Sequence, residues 1–264
     1  MKPLRLAFIT QDDPFYVRIF FEEFVSAGGR KDEIEAVVIA PAMGKKGFVA
    51  LLQQMYDFYG PWNFLRMGLK FALYRVAAQL PDWARAGRYF SVEQVCRHHG
   101  IRVVRARDLN APGFLAELGS WNLDLIVSVA APQVFRETLI ALPRQGCINI
   151  HNSKLPKYRG MLPNFWQMFH GEKAVGTTIH RINPGLDDGD ILMQIESPIA
   201  AGESLDSLIR RTKALGARMM VEMLQQFRSG AVRPVPNRRE EATYFSFPTR
   251  RDVVEFRRRG YRLI

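Results

Sequence analysis

Gly146-Cys147-Ile148-Asn149-Ile150-His151-Asn152-Ser153-Lys154-Leu155-Pro156-Lys157-Tyr158-Arg159-Gly160 is an apolar run that carries an amide and an imidazole, then passes into a loop with proline and glycine. A short run of this kind, bounded by such a loop, reads as a strand. Asn149 and His151 stand two apart, so on a strand their side chains leave the same face. Polar side chains where a strand leaves its sheet point to the crevice in which open α/β sheets bind ligands. Similar apolar runs flank this one: Leu4 to Thr10, Ala36 to Ala40, Ile101 to Val104, Leu123 to Val129, Gly176 to Ile182 and Ile191 to Ile195. Helical patterns lie between them. The alternation predicts an α/β fold with a doubly wound, mostly parallel sheet.

Punctuation sets the helix ends. Asp13-Pro14 predicts a helix start, with Asp13 as N-cap, running to about Ala27 before Gly28-Gly29. Ser91 to His99 reads as a short helix closed by Gly100, and Ser204 to Arg228 as a long one closed by Gly230. Between Met43 and Tyr89 the rhythm is interrupted by an aromatic, weakly charged stretch with breakers only at Gly60-Pro61 and Pro81. It reads as two inserted helices, which would serve as extra core, a face between two copies, a lid over a site, or a contact with a membrane surface. From Arg233 the chain becomes a basic tail with a strand at Thr243-Tyr244-Phe245 and a last helix from Arg250 to Arg259. The expected organisation is one domain over 1–230, with the helical insert at about 44–89, and a short basic C-terminal extension over 231–264.

The 264 residues suffice for one large domain with a real core. Cys96 and Cys147 lack C-x-x-C spacing, which excludes a disulfide framework or zinc knuckle and suits a reducing cytoplasm. Adjacent His98 and His99 on a helix point apart, so no metal site is expected there. No cleavable leader pattern and no run of about 18 uncharged apolar residues is present, so secretion and membrane spanning are not expected. The formal charge of +11 suits an acidic partner, and residues 201–264 carry 14 basic against 7 acidic side chains.

The chemistry gathers in two segments. Besides the stretch quoted first, Gly185-Leu186-Asp187-Asp188-Gly189-Asp190 places a carboxylate 38 residues after Asn149. The Asn-x-His pair, the Ser-x-Leu-Pro-x-x-x-Gly loop and the Leu-Asp-x-Gly-Asp segment together resemble the signature of the folate-dependent formyltransferases. That family includes the methionyl-tRNA, glycinamide ribonucleotide and amino-sugar enzymes. Leu155 to Gly160 is especially similar to the domain that formylates UDP-4-amino-4-deoxyarabinose. The resemblance runs from about Ile101 to Ile199, is weaker over the first 40 residues, and does not extend to the aromatic insert. It departs from the pattern at Asn152 and Lys154.

The resemblance implies a Rossmann-like formyltransferase fold and transfer of a formyl group from 10-formyltetrahydrofolate, without a metal, to a primary amine. Asn149 and His151 would donate hydrogen bonds to the oxygen that becomes negative during attack, a donor of this kind being worth about 3–4 kcal/mol. Asp187 would hold the imidazole, raise its pKa and relay a proton through water. Ala131, Pro132, Gln133, Val134 and Phe135 resemble the segment whose main chain binds the pterin, and Gly185, Leu186 and Asp188 would close its other side. Taken on the residues alone, that segment reads equally well as an ordinary strand-to-helix connection, and the Asp-Asp-Gly-Asp cluster as a tight turn.

The acceptor is approached by elimination. Only about 35 residues follow Gly230, too few for the C-terminal barrel of methionyl-tRNA formyltransferases, so nucleic acid is not the expected partner. The loop from Thr10 to Phe15 lacks the glycine and serine of the glycinamide ribonucleotide phosphate cradle. A phosphate-bearing small amine, such as a nucleotide-linked amino sugar, fits a basic protein, with Asp12, Lys157 and Arg159 as candidate contacts. A homodimer is compatible with the insert. Three alternatives stay open: a formyltetrahydrofolate hydrolase, a tRNA formyltransferase of reduced form, and a non-catalytic basic module that binds nucleic acid or a membrane.

Overall fold

Strands that are apolar along their whole length, rather than at every second residue, must be covered on both faces. The computed structural model describes residues 3–41 and 47–264 and places such strands at the centre of a seven-stranded sheet; the start of the expected insert, 43–46, lies outside the described residues. In chain order the elements are β1 Leu6–Gln11, α1 Val17–Ser26, β2 Ile34–Ala40, α2 Phe48–Ala77, α3 Val92–His98, β3 Val103–Arg105, α4 Pro112–Ser120, β4 Leu125–Val129 and α5 Glu137–Ile140. There follow β5 Cys147–His151, β6 Arg159–Gly160, α6 Pro163–Phe169, β7 Ala174–Arg181, β8 Ile191–Pro198, α7 Leu205–Ser229, β9 Tyr244–Phe245 and α8 Arg250–Arg258.

The sheet order is β3-β2-β1-β4-β5-β7-β8. The first five are parallel, and β7 and β8 add an antiparallel hairpin beyond β5. One face packs on α1, α3 and α7, the other on α4 and α5. Phe8 of β1 meets Phe20, Phe21 and Phe24 of α1 at ring-centroid distances of 6.2, 5.6 and 5.2 Å. Full burial of each such ring is worth about 1.5–3 kcal/mol, which fixes α1 on the sheet. Strand order reverses between β1 and β4, so the loops after these strands, 12–16 and 130–136, open the crevice beside β5.

Helix ends follow the sequence with one exception. Ser91 and Ser204 cap α3 and α7 as expected. Asp13 does accept from Phe15 and Tyr16 backbone N–H groups, at 2.7 and 3.3 Å, but it caps a turn, and α1 starts only at Val17. The insert holds the two expected helices, joined where Gly60 (φ 71°) cannot continue the first and Pro61 begins the second. The insert is not wholly peripheral: Phe58 and Met67 are buried, and Phe58 packs in a third core with Phe165 of α6 and Val253 and Phe256 of α8. Residues 231–264 are tied to the same core. β9 pairs with β6, and Leu205 and Asp206 N–H groups donate to Arg262 and Leu263 carbonyls.

Candidate active site

Antiparallel pairing sets Asn149 of β5 directly opposite His180 of β7. Side chains of such a pair leave the same face, and Asn149 Nδ2 lies 3.2 Å from His180 Nε2. The second ring nitrogen of His180 lies 2.8 Å from the Arg181 carbonyl oxygen. A carbonyl only accepts, so Nδ1 carries the proton and Nε2 is left to accept from the Asn149 amide. Burial, opposed by Asp187 and reinforced by His151, pushes the His180 imidazole down to about 4. At neutral pH this ring is uncharged and its tautomer is fixed.

His151, two residues along β5, is buried, with Nε2 2.9 Å from the Tyr158 carbonyl oxygen. By the same logic Nε2–H donates there. Asp187 comes from the connection between β7 and β8. One oxygen stands 3.7 Å from His151 Nε2 and the other 3.6 Å from His180 Nε2. Both distances are ion-pair range, too long for a good hydrogen bond. The expectation that Asp187 itself holds the His151 ring therefore changes: the Tyr158 carbonyl holds it, and the carboxylate supplies charge from the side.

Asp187 is itself fixed from two directions. Its Oδ2 accepts the Gly160 N–H at 2.9 Å, and its carbonyl accepts from Asn237 Nδ2 at 2.9 Å. Gly160 is obligatory in this place, because a Cβ there would lie 2.2 Å from the Phe245 carbonyl oxygen. The loop before it is pinned by Gln194, which donates to the Leu155 carbonyl, and by Thr178, which donates to the Ser153 carbonyl.

The remaining candidates divide. Arg159 is buried, donates to Asp188 at 2.6 Å and to Asn237 at 2.9 Å, and so is engaged inside the protein rather than presented to an acceptor. Asp188 is shared by Arg159 and the exposed Arg239, which, with the Arg239 bond the larger influence, hold its carboxyl below the ordinary value; it is part of this interior pair rather than a lining of the loop. Asp12 pairs with Arg75 at 2.7 Å, while Lys157 is exposed. In the loop after β4, Ala131 and Pro132 are half-buried, and Gln133 turns its side chain to Leu109 N–H and the Arg107 carbonyl. Phe135 belongs to the core, so Val134 is the exposed apolar side chain of this loop, and Leu186 is an exposed apolar side chain of the loop between β7 and β8. Gly185 is exposed, its N–H donating to Asn183.

Sequence reading missed His180, Asn237 and Arg239. His180 had a local signal: a histidine inside a strand already recognised at Gly176 to Ile182. The other two had none, since they arrive from the tail.

The formyl transferase family model matches residues 73–224 of the chain. Its span begins inside the aromatic insert, to which the motif resemblance was not expected to extend. Among curated proteins, methionyl-tRNA formyltransferase of Citrifermentans bemidjiense is 37% identical over 151 residues, covering 57% of this chain and 47% of that protein. The chain thus spans about half the length of the curated relatives it matches. Among solved structures, glycinamide ribonucleotide transformylase 1 of Symbiobacterium toebii aligns with a TM-score of 0.58 and 17% identity, over 88% of this chain and 94% of that one. The N-formyltransferase of Helicobacter canadensis, solved with folinic acid and dTDP-3-aminofucose, aligns with a TM-score of 0.57 and 16% identity, over 92% and 71%. At these identities the structural likeness establishes the shared fold.

Proposed function

This chain belongs to the formyl transferase family, and on that premise we propose that it moves a formyl group from 10-formyltetrahydrofolate to the primary amine of a nucleotide-linked amino sugar. The observation that carries the reading is the convergence of Asn149, His151, His180 and Asp187 beside the crevice at the strand-order reversal. The donor supplies an activated acyl carbon. The amine forms the new C–N bond, the bond from carbon to N10 breaks, and the proton lost by the amine ends on N10.

Each residue has a task in that exchange. Asn149 gives one amide hydrogen to neutral His180 and has the second left for the carbonyl oxygen as charge develops on it. His151, with Nε2–H engaged by Tyr158, has Nδ1 left to take up and return a proton. Asp187 stabilises the doubly protonated ring from 3.7 Å. Val134 and Leu186, 67% and 49% exposed on two loops proposed to bind the folate, suit a flat heteroaromatic ring. The amino-sugar acceptor is supported by the charge of +11 and by the ligand of the Helicobacter canadensis structure. A second reading, transfer to the aminoacyl group of a charged tRNA, is favoured by the names of the curated relatives.

The test is release of tetrahydrofolate, followed by absorbance, from 10-formyltetrahydrofolate with a panel of nucleotide amino sugars, with charged initiator tRNA, and with no amine. Turnover that requires an amino sugar supports the proposal; turnover only with the tRNA supports the second reading; formate release without amine makes the protein a hydrolase. His151→Ala and Asp187→Asn are each expected to cut turnover by about 10² or more while folate still binds. Unchanged rates would remove these residues from the mechanism.

A further inference from the structure

The second helix of the insert, from Pro61 onward, has two unlike sides. Met67 is buried, and Lys70 lies over the Phe15 and Tyr74 rings at 5.6 and 5.7 Å, so this side faces the protein. On the opposite side Trp62, Leu65, Leu69, Leu73 and Val76 follow one another at spacings of three or four residues, which is a single helical stripe. They are 77%, 65%, 62%, 59% and 67% exposed. Trp83, just past the helix, is 87% exposed. Such a stripe costs solubility unless something covers it.

Charge selects the occupant. Residues 61–83 contain Arg66, Lys70 and Arg75 and one acidic residue, Asp82; Arg75 is paired with Asp12 and Lys70 lies on the protein-facing side, which leaves exposed Arg66 beside the stripe, in a chain of net charge +11. Basic α8 is joined to the break between the two helices, where Arg257 donates to the Tyr59 carbonyl at 2.7 Å. A second copy of the chain would bring together two chains that each carry +11. An anionic bilayer offers the opposite sign together with hydrocarbon for the leucines, and tryptophans at the two ends are side chains that favour the headgroup level. Among the described residues no helix is long and apolar enough to cross a membrane, so the stripe would lie in the surface.

We propose that this face of α2 docks the protein on an anionic lipid surface, with Trp62 and Trp83 as anchors and the three leucines between them entering the acyl boundary. The measurement is flotation of the protein with vesicles of phosphatidylcholine alone and of phosphatidylcholine with about 30% phosphatidylglycerol, at low and high salt. Binding is expected to the anionic vesicles, weakened by salt, with a blue shift of tryptophan emission. Trp121 and Trp166 are buried, so the shift belongs to the exposed pair and should vanish in Trp62→Phe/Trp83→Phe. The variant Leu65→Ser/Leu69→Ser/Leu73→Ser should bind at least about tenfold less while keeping its thermal unfolding curve, because the replaced side chains already face water. Absence of flotation, or equal flotation of this variant and the parent, overturns the proposal. So does a light-scattering mass of a dimer that the leucine variant reduces to a monomer, because the stripe would then be covered by a second copy.

Discussion

Acidification tests the burial of His180 and, through it, the geometry of the whole site. In the unfolded chain the imidazole titrates near 6.5, whereas in the fold burial, less the pull of Asp187 and with the push of His151, brings it down to about 4. Between these values the unfolded chain binds a proton that the native one refuses. The free energy of unfolding must therefore fall as pH falls through this window, and this contribution levels off below about 4. At about 1.36 kcal/mol for each pH unit of the window, the loss is about 3 kcal/mol. The ring is only 2% exposed, so solvent screening removes little of it. Urea unfolding of the parent and of His180→Gln, at steps from about pH 7 to about pH 4, reads the effect directly. Glutamine keeps a polar group opposite Asn149 but does not titrate, and the other histidines are common to both proteins. The difference between the two profiles should grow by about 3 kcal/mol across the window, the parent losing more. Parallel profiles, or an imidazole resonance of His180 that titrates near 6.5 in the folded protein, would refute the reasoning and with it the assignment of Nε2 as acceptor for Asn149.

Other substitutions probe the supports of the site. Asp188→Ala should cost about 3–5 kcal/mol in chemical denaturation, because it strands the buried Arg159 guanidinium, whose Nε already lacks a partner; a loss below about 1 kcal/mol would contradict this. Arg239→Ala, at a side chain 78% exposed, should cost about 1 kcal/mol or less. Gly176→Ala would set a Cβ 2.3 Å from the Lys154 nitrogen and 2.4 Å from its Cα; since backbone must move, a loss of about 1–3 kcal/mol and a drop in turnover are expected, the second because that loop holds His151. Gly216→Ala meets side chains alone, the end of Ile150 at 2.3 Å and Thr177 at 3.7 Å, and should be milder in the same chemical denaturation. Phe58→Ala should lower stability by about 3–5 kcal/mol, and an unaffected melting temperature would show that the insert contributes nothing to the third core.

The central sheet was readable because its strands are buried on both faces, so their runs are largely apolar: all five residues of β4 are buried, and β5 starts with its apolar run at Cys147 and ends at His151, one residue past Ile150. Helix caps were readable where one side chain decides, as with Ser91 and Ser204. At Asp13 the same local rule applied, but its carboxylate is spent on a turn, and tertiary packing of Phe20, Phe21 and Phe24 sets where the helix proper lies. β9 was legible at Thr243-Tyr244-Phe245, but two-residue β6 is too short to carry a periodic signal, and the pairing of the two depends on residues some 85 positions apart in the chain.

The same distance rule explains the site. Asn149 and His151 are two residues of one strand, so their common face follows from the backbone alone. His180 joins them only through the register of an antiparallel pair, and no local pattern states which residue of β7 will stand opposite Asn149. Arg159 shows the consequence for charge. Read along the chain it is one of 37 basic side chains, and an exposed role is the natural expectation. Its burial is decided where β6 meets β9 and where Asn237, 78 residues later, arrives to accept its hydrogen bond and to hold the main chain at Asp187 and Gly189. The residue that looks like a surface contact is thus a tie between the tail and the carboxylate loop. A change in the tail at Asn237 should therefore reach Asp187 without touching either histidine: Asn237→Ala is expected to lower turnover with little change in folate affinity, whereas loss of affinity alone would show that the tie serves binding and not the placement of the carboxylate.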